Sequence, residues 1–298
     1  MSQEKGKKIK MKNVLKICLW VILGILALLC AGWFVYSFVM SNKADVVHPE
    51  VTFEIQDFGN VKMELYPEYA PNTVANIIKL VENGYYNNKV IYGKDDLCLY
   101  VGRNSDGEVE NPKISLIDPN IEKDSDEDYE YSIPGEFIAN DFKQNTLRHE
   151  KGIVTLIRQD YSQYFPNLSD ESYNSGNTNI AVIMNDGASN LNGVYAGFGK
   201  VLEGMDILEK LYNEIEIKKE ETTDETAEGE TVDVENVEGE ENTEEGSGGI
   251  QEFNVYPIIK SASVDTKGAD FGMPETEEAF DYNEYINNYF MQQYGGQQ

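Results

Sequence analysis

The sequence of 298 residues predicts a mainly β domain preceded by a single N-terminal transmembrane helix. Three observations carry this prediction. A long apolar run without charges lies near the N-terminus, several short strand-like segments follow it, and only two clear amphipathic helices interrupt those segments. Many strands with two helices favour a closed antiparallel barrel with helical covers. The length allows one domain with additional segments, or two small domains.

The apolar run covers residues Ile17–Met40, which are 24 positions without a charge. At about 1.5 Å per residue, a helix of this length crosses the roughly 30 Å hydrocarbon core of a bilayer. Residues 1–16 carry six lysines and one acid, so the positive-inside rule keeps this basic segment in the cytoplasm and the main domain outside it. A cleaved signal peptide is the alternative, but its apolar region spans only about 7–15 residues. We therefore expect an uncleaved single-pass anchor in the cell membrane, followed by a spacer over residues 41–50.

Composition excludes several classes of function. The chain has 53 Asp and Glu against 24 Lys and Arg, a formal net charge of −29, so we expect no nucleic acid partner. Three cysteines are too few for a disulfide scaffold. The histidines, His48 and His149, are too few for a histidine-based metal site. The acidic run Asp124–Asp128 lacks the glycine and the glutamate of a calcium loop, so the sequence predicts neither a metal nor a cofactor.

The first elements of the domain have clear local signals. Phe53–Tyr66 predicts a β-hairpin, because the turn residues Asp57–Asn60 separate two runs of alternating apolar residues. A helix is predicted over Ala70–Gly84, since Pro71 suits a first helical turn and apolar residues recur at helical spacing. A second, short helix is predicted over Met205–Tyr212. Further strands are predicted at Gly152–Arg158, Asn179–Met184, Val194–Val201 and Tyr256–Val264.

Residues 220–249 contain thirteen acids and no Lys, Arg or aromatic residue. Such a segment cannot bury enough apolar surface to offset its ordering entropy, so we expect a disordered insertion within one domain of residues 51–267. A solvated spacer is the favoured interpretation, with calcium buffering or partner docking as alternatives. The polar C-terminal tail, residues 268–298, has aromatic residues at helical spacing over Tyr282–Phe290. This helix is expected to pack back on the domain, and a partner-binding helix is the alternative.

Five segments resemble, in order, the cyclophilin-type peptidyl-prolyl isomerases. They are Val61–Tyr86, Tyr131–Phe137 (YSIPGEF), Asn145–Arg158, Asn174–Asn177 (NSGN) and Leu191–Leu211, which contains YAGFGKV and EGMD. The resemblance covers roughly Val51–Thr266 and implies an eight-stranded antiparallel barrel capped by two helices. It also implies prolyl isomerisation, with proline-containing peptides or unfolded secreted proteins as partners.

In that family an arginine hydrogen-bonds the proline nitrogen as amide resonance is lost, beside an apolar pocket. The resemblance places Gly93, which has no side chain, at the arginine position. The other groove positions that it implies are Tyr92, Cys98, Leu99, Val101, Asn179, Ala181, Asn190, Leu191 and Tyr195. Lys94 and Arg103 lie near residue 93 in the sequence and could replace the missing arginine as the donor. Strand alternation, however, aims Lys94 at the opposite face from residue 93. We therefore assign no catalytic residue.

Two functions follow from these expectations. The first is a membrane-anchored, extracytoplasmic prolyl isomerase that assists protein folding with weak activity, because the arginine position is Gly93. The alternative is a non-catalytic module that binds peptides or proteins at the membrane surface. Tyr161, Tyr164 and Phe165, in an apparent insertion after Arg158, either remodel the peptide groove or seal a loop onto the barrel.

Overall fold

The computed structural model describes residues 20–34, 46–108, 111–218 and 249–294. They belong to two compact units, Met1–Val46 and Val47–Gln298. In the first unit, residues 20–34 form a helix (α1) whose apolar side chains, such as Trp20 and Trp33, are exposed. Within the described ranges no helix is both long and apolar enough to cross a membrane. The predicted span Ile17–Met40 extends beyond the described residues at both ends.

The second unit is mainly β, as predicted. Its strands are β1 Glu50–Ile55, β2 Gly59–Leu65, β3 Val90–Lys94, β4 Cys98–Arg103, β5 Tyr131–Ser132, β6 Ile153–Leu156, β7 Ile180–Ile183, β8 Ala196–Glu203, β9 Gln251–Glu252, β10 Ile259–Asp265 and β11 Glu277–Glu278. Its helices are α2 Pro71–Glu82, α3 Ser169–Tyr173, α4 Met205–Glu214 and α5 Tyr282–Tyr294.

Nine strands form one antiparallel sheet in the order β10-β1-β2-β8-β6-β7-β4-β3-β9. The sheet curls so that its two ends approach each other. A bridge between Val90 and Ile258 joins β3, near one end of the strand order, to the residues that precede β10 at the other end. The backbone N–H of Ile91 also donates to the Pro257 carbonyl at 3.0 Å. The resemblance implied eight strands. The additional strand is β9, which pairs with the free edge of β3.

The local predictions for the first elements agree with the structure. β1 and β2 form a hairpin in which Phe53 lies opposite Val61, and Asp57 adopts a positive φ of 65° in the turn. Helix α2 begins at Pro71, where proline costs no hydrogen bond because the first helical N–H groups have no partner within the helix. The Glu136 carboxylate caps this end, since it accepts hydrogen bonds from the backbone N–H groups of Asn72 at 2.8 Å and Thr73 at 2.7 Å.

The sheet separates two apolar clusters. The main core lies on the side of α2 and includes Leu65, Ile77, Ile91, Leu99 and Phe198, all at most 1% exposed. The second cluster, here called the outer cluster, lies on the other face of β3, β4 and β7. Its buried members are Val90, Tyr92, Cys98, Tyr100, Ile153, Ala181, Ile183 and Ala188. Because side chains alternate along a strand, neighbouring residues of β3 and β4 contribute to different clusters.

The segments that the sequence set apart attach to the domain in two places. Ile217 pairs with Phe253 in a bridge, which brings together the two ends of the acidic insertion. Residues 220–248 of that insertion lie outside the described residues. The tail returns to the domain, because β11 pairs with β5 and α5 packs on the segment after β6. Tyr161 and Phe165 of that segment make the ring contacts with the tail, whereas Tyr164 is 73% exposed.

Candidate functional site

The outer cluster brings together several residues that the sequence assigned to the peptide groove. Tyr92, Cys98 and Ala181 are at most 3% exposed and belong to this cluster, and Leu191 packs against it. Tyr100, which the sequence did not select, belongs to the same cluster. Its ring centroid is 5.9 Å from that of Tyr92. The side chains of the chain itself therefore fill the interior of the outer cluster.

The remaining predicted groove residues are not members of the outer cluster. Leu99 and Val101 point into the main core. Asn190 is exposed in the turn before β8, and Asn179 and Tyr195 are half-buried. The register of β3 and β4 shifts between Ile91 and Gly93, and this irregularity cannot be read from an ungapped alignment.

Gly93 lies against the backbone of β9. Residue 93 pairs with Glu252, and the N–H of Phe253 donates to the Tyr92 carbonyl at 2.9 Å. A Cβ atom at residue 93 would lie 2.6 Å from the Gln251 carbonyl oxygen and 3.1 Å from Cγ2 of Ile250. The first distance is shorter than side chains adopt, so the strand at the end of the acidic insertion leaves no room for a side chain here.

Arg103 lies over the ring of Tyr92, the residue before Gly93. Gly102 has a φ of 129°, and the register shifts between Val90 and Ile91, which turns Arg103 towards Tyr92. The guanidinium carbon lies 4.1 Å from the centroid of the Tyr92 ring. Nη1 donates to the Glu252 carboxylate at 2.7 Å, while the buried Nε has no hydrogen-bond partner among the described residues.

Lys94 is directed away from the outer cluster, as strand alternation predicts. Its Nζ donates to the backbone carbonyl of Tyr212, at the end of α4, at 2.5 Å.

The carboxylate of Glu252 is the centre of an ionic cluster. Hydrogen bonds from Lys218 and Tyr256, followed by Arg103, lower the pKa of Glu252 to about 2. These contacts fasten β9 and residue 218 to β4.

The chemistry of the outer cluster is that of a packed surface. Burial raises the pKa of the Cys98 thiol to about 12, so the thiolate needed for nucleophilic attack is absent at neutral pH. The Tyr100 hydroxyl donates to Asp95 at 2.7 Å. His149 is buried between Asn192 and Thr155, and burial lowers its pKa, in agreement with a structural role. In the described part of the chain, no group of three His, Cys, Asp or Glu side chains could hold a metal ion.

The sequence also missed Arg158, which follows β6. Its guanidinium carbon lies 4.8 Å from the Tyr195 ring centroid and 5.2 Å from that of Tyr173, and its Nε donates to the Val194 carbonyl at 3.2 Å. The sequence did contain a signal for this residue. Arg158 is the last residue of Asn145–Arg158, a segment that carries the family resemblance, and it lies beside the predicted groove residue Tyr195.

A curled antiparallel sheet with α2 and α4 against it is the architecture of a cyclophilin-like domain. The family described as cyclophilin type peptidyl-prolyl cis-trans isomerase/CLD matches residues 50–238. The chain belongs to this family.

Similar proteins come from several organisms. A peptidyl-prolyl cis-trans isomerase, CYP23, of Arabidopsis thaliana is 26% identical over 187 residues, which are 63% of this chain and 70% of the relative. A probable peptidyl-prolyl cis-trans isomerase of Brucella suis is 29% identical over 191 residues, 62% of this chain and 83% of the relative. A crystal structure of a Cryptosporidium parvum cyclophilin-type isomerase has a TM-score of 0.48 and 15% identity, and it covers 73% of this chain and 98% of its own.

Proposed function

We propose that this protein is a membrane-anchored, extracytoplasmic member of the cyclophilin family that binds polypeptide segments and isomerises prolyl bonds only weakly. The observation that carries the proposal is the packing of β9 against Gly93, where a Cβ atom would lie 2.6 Å from the Gln251 carbonyl oxygen. This packing leaves no room at residue 93 for the arginine that serves as the transition-state donor in the family. Loss of one such donor lowers the rate of an enzyme by about 10²–10³-fold.

The pocket beside this position supports the same proposal. The family's two aromatic pocket walls correspond to Cys98 and Ala181, which are 3% and 0% exposed, and the rings of Tyr92 and Tyr100 fill the cluster around them. A proline ring would therefore have to displace side chains that are already packed. Binding of a proline at this point is weakened along with the chemistry.

The location is proposed from the N-terminal sequence. Residues 17–40 are long enough to span a bilayer, and the lysine-rich residues 1–16 favour a cytoplasmic N-terminus. The partners proposed for the domain are segments of secreted or surface proteins. Protease treatment of sealed vesicles that contain the full chain tests this topology, since an outward-facing domain is digested while residues 1–16 are protected.

The isomerase assay tests the catalytic part of the proposal. The full chain in detergent micelles is mixed with a proline peptide whose trans form is cleaved by an added protease. We expect kcat/KM at least about 100-fold below that of an active cyclophilin measured beside it. A value within about tenfold of the active enzyme would contradict the proposal.

A specific observation favours a second candidate, an active isomerase that uses Arg103 as its donor. The guanidinium lies over Tyr92, and its Nε has no hydrogen-bond partner among the described residues. Arg103→Lys keeps the charge but removes the planar fork, so any activity that depends on Arg103 should fall. Arg148→Lys, at an exposed arginine, is the matched control. Activity that survives Arg103→Lys would eliminate this candidate.

A further inference from the structure

The tail occupies a channel on the domain as an added strand. Glu277 and Glu278 pair with Ser132 and Tyr131 of β5, and the N–H of Ala279 donates to the Glu130 carbonyl at 2.8 Å. Upstream, the side chain of Asn72 exchanges hydrogen bonds with the backbone of Glu275, at 2.6 and 3.0 Å. β5 and β11 form a separate two-stranded sheet. An extended peptide can pair with a strand in this way, since backbone hydrogen bonds give affinity and side-chain pockets give specificity.

Aromatic contacts follow the strand. The Tyr161 ring stacks on that of Tyr282 with centroids 4.9 Å apart and lies 5.3 Å from the centroid of Phe280. Phe165 contacts Tyr282 and Tyr285, with centroids 6.1 and 5.4 Å away. We call the surface formed by β5, Tyr161, Phe165, Asp170 and Glu171 the tail channel.

The strand does not fill the tail channel. A cavity of about 140 Å³ remains beside Ala279 and Phe280, bordered by Ile157, Gln159 and Asn179. A larger cavity of about 260 Å³ is lined by Glu277 and Glu278 of the tail and by Asp170 and Glu171 of the domain. A ligand matched to the channel would place atoms in this space.

The charges across the larger cavity are mismatched. Asp170 and Glu171 of the domain and Glu277 and Glu278 of the tail all line it, and no Lys or Arg is among the described residues that line it. One oxygen of Glu171, Oε2, is buried without a hydrogen-bond partner in the described structure. The tail, residues 268–298, has six acids and no Lys or Arg, so it supplies no cation here. Four carboxylates around one cavity, with no cation among its described lining residues, oppose the docking of the tail.

We propose that the tail channel is a binding site for an extended segment of a partner protein that has basic residues at the two glutamate positions and an aromatic residue at the position of Phe280. The tail is an intramolecular occupant with the correct backbone and aromatic contacts and the wrong charges. A basic segment pairs with Asp170 and Glu171, and it gives Glu171 Oε2 the donor that it lacks. The inference rests on the binding role proposed above, and it names the partner chemistry.

Because the tail is tethered, its effective concentration reaches the millimolar range, and a free peptide must compete with it. The test therefore uses the full chain in detergent micelles with Phe280→Ala and Tyr282→Ala, which loosens the tail, beside the wild-type chain. The probe is a fluorescein-labelled peptide with the sequence of residues 274–285 in which lysines replace Glu277 and Glu278. The control probe keeps the two glutamates.

We expect the lysine probe to bind the loosened chain at least about tenfold more tightly than the glutamate probe at about 0.02 M salt, with a smaller ratio at about 0.5 M. In the otherwise wild-type chain, Glu277→Lys with Glu278→Lys should strengthen the seating of the tail and weaken probe binding. The control variant, Glu150→Lys with Glu214→Lys, changes the net charge by the same amount at exposed residues that border neither cavity. It should bind the lysine probe more tightly than the Glu277→Lys, Glu278→Lys variant does.

Equal binding of the two probes would overturn the proposal. So would a preference for lysine that survives Asp170→Asn with Glu171→Gln, because the probe would then bind elsewhere. All of these substitutions except those at Phe280 and Tyr282 change carboxylates at the surface or beside a cavity, so folding is preserved. Efficient prolyl turnover would refute weak catalysis and leave the tail channel untouched, so the two failures are distinguishable.

Discussion

Replacement of Gly93 by alanine should break the packing of β9 on β3. The ideal Cβ would lie 2.6 Å from the Gln251 carbonyl oxygen, and real Cβ contacts essentially never fall below 3.0 Å, so the oxygen must retreat by about 0.4 Å. That atom belongs to the backbone of a paired strand, so no side-chain rotation relieves the contact. The same contact makes Gly93→Arg displace β9 instead of supplying a catalytic donor.

The cost follows from the size of the clash. Overpacking of a well-packed site costs about 1–3 kcal/mol. Each 1 kcal/mol lowers the melting temperature of a domain of this size by about 2–4 °C, so we expect a decrease of about 2–12 °C. Gly249→Ala is the matched control, because a Cβ at residue 249 meets nothing within 4 Å.

The measurement is thermal unfolding of the full chain in detergent, followed by near-UV circular dichroism of the tyrosines, with hydrogen exchange at the end of the acidic insertion. The amide of Phe253, which donates to the Tyr92 carbonyl, should exchange faster in Gly93→Ala than in wild type. The packing explanation of Gly93 is wrong if Gly93→Ala has the same melting temperature as wild type and Gly249→Ala, and if the amide of Phe253 stays protected from exchange.

Three further predictions concern stability. Phe253→Ala, at a fully buried side chain, should cost about 3–5 kcal/mol in urea unfolding and should expose the base of the acidic insertion to protease. Hydrogen bonds, of which the one from Lys218 has the largest effect, lower the pKa of Glu252 from 4.5 to about 2. The stability that the Glu252 carboxylate contributes is therefore complete above pH about 4.5 and is lost towards pH 2. Glu252→Gln should remove this part of the acid dependence of unfolding. Asn76→Ala leaves the buried Tyr131 hydroxyl and a buried carbonyl without their partner, and we expect a loss of about 2–5 kcal/mol; a loss below about 0.5 kcal/mol would contradict this hydrogen-bond assignment.

Much of the fold could be predicted from the sequence where its signals are local. The hairpin of β1 and β2 and the start of α2 at Pro71 follow from turn residues, alternation and capping preferences within a few positions. β9 could not be predicted in this way. It is two residues long, and it pairs with β3 across more than 150 positions of sequence that include the acidic insertion.

The candidate site shows the same division. The family resemblance assigns Leu99 and Val101 to the groove, but the alternation of side chains along β4 places both in the main core and places Tyr100 in the outer cluster. The sequence presents Gly93 only as a missing arginine. The structure gives a packing reason for glycine, which depends on a non-local contact with Gln251.

The tail illustrates what periodicity can and cannot give. The spacing of aromatic residues predicted the helix that the structure has as α5. The partner of its aromatic face is Phe165, on a segment that carries no helical or strand periodicity of its own. Composition alone therefore left packing on the domain and binding to a partner open.

The central claim is that the domain binds polypeptide segments and isomerises prolyl bonds only weakly. The most direct test is two-dimensional NMR exchange spectroscopy on a proline peptide with the full chain in detergent, because one experiment reports binding and turnover separately. The account predicts line broadening of the peptide signals without cis–trans exchange cross-peaks, under conditions where an active cyclophilin gives strong cross-peaks. Cross-peaks of comparable strength from this protein would contradict it.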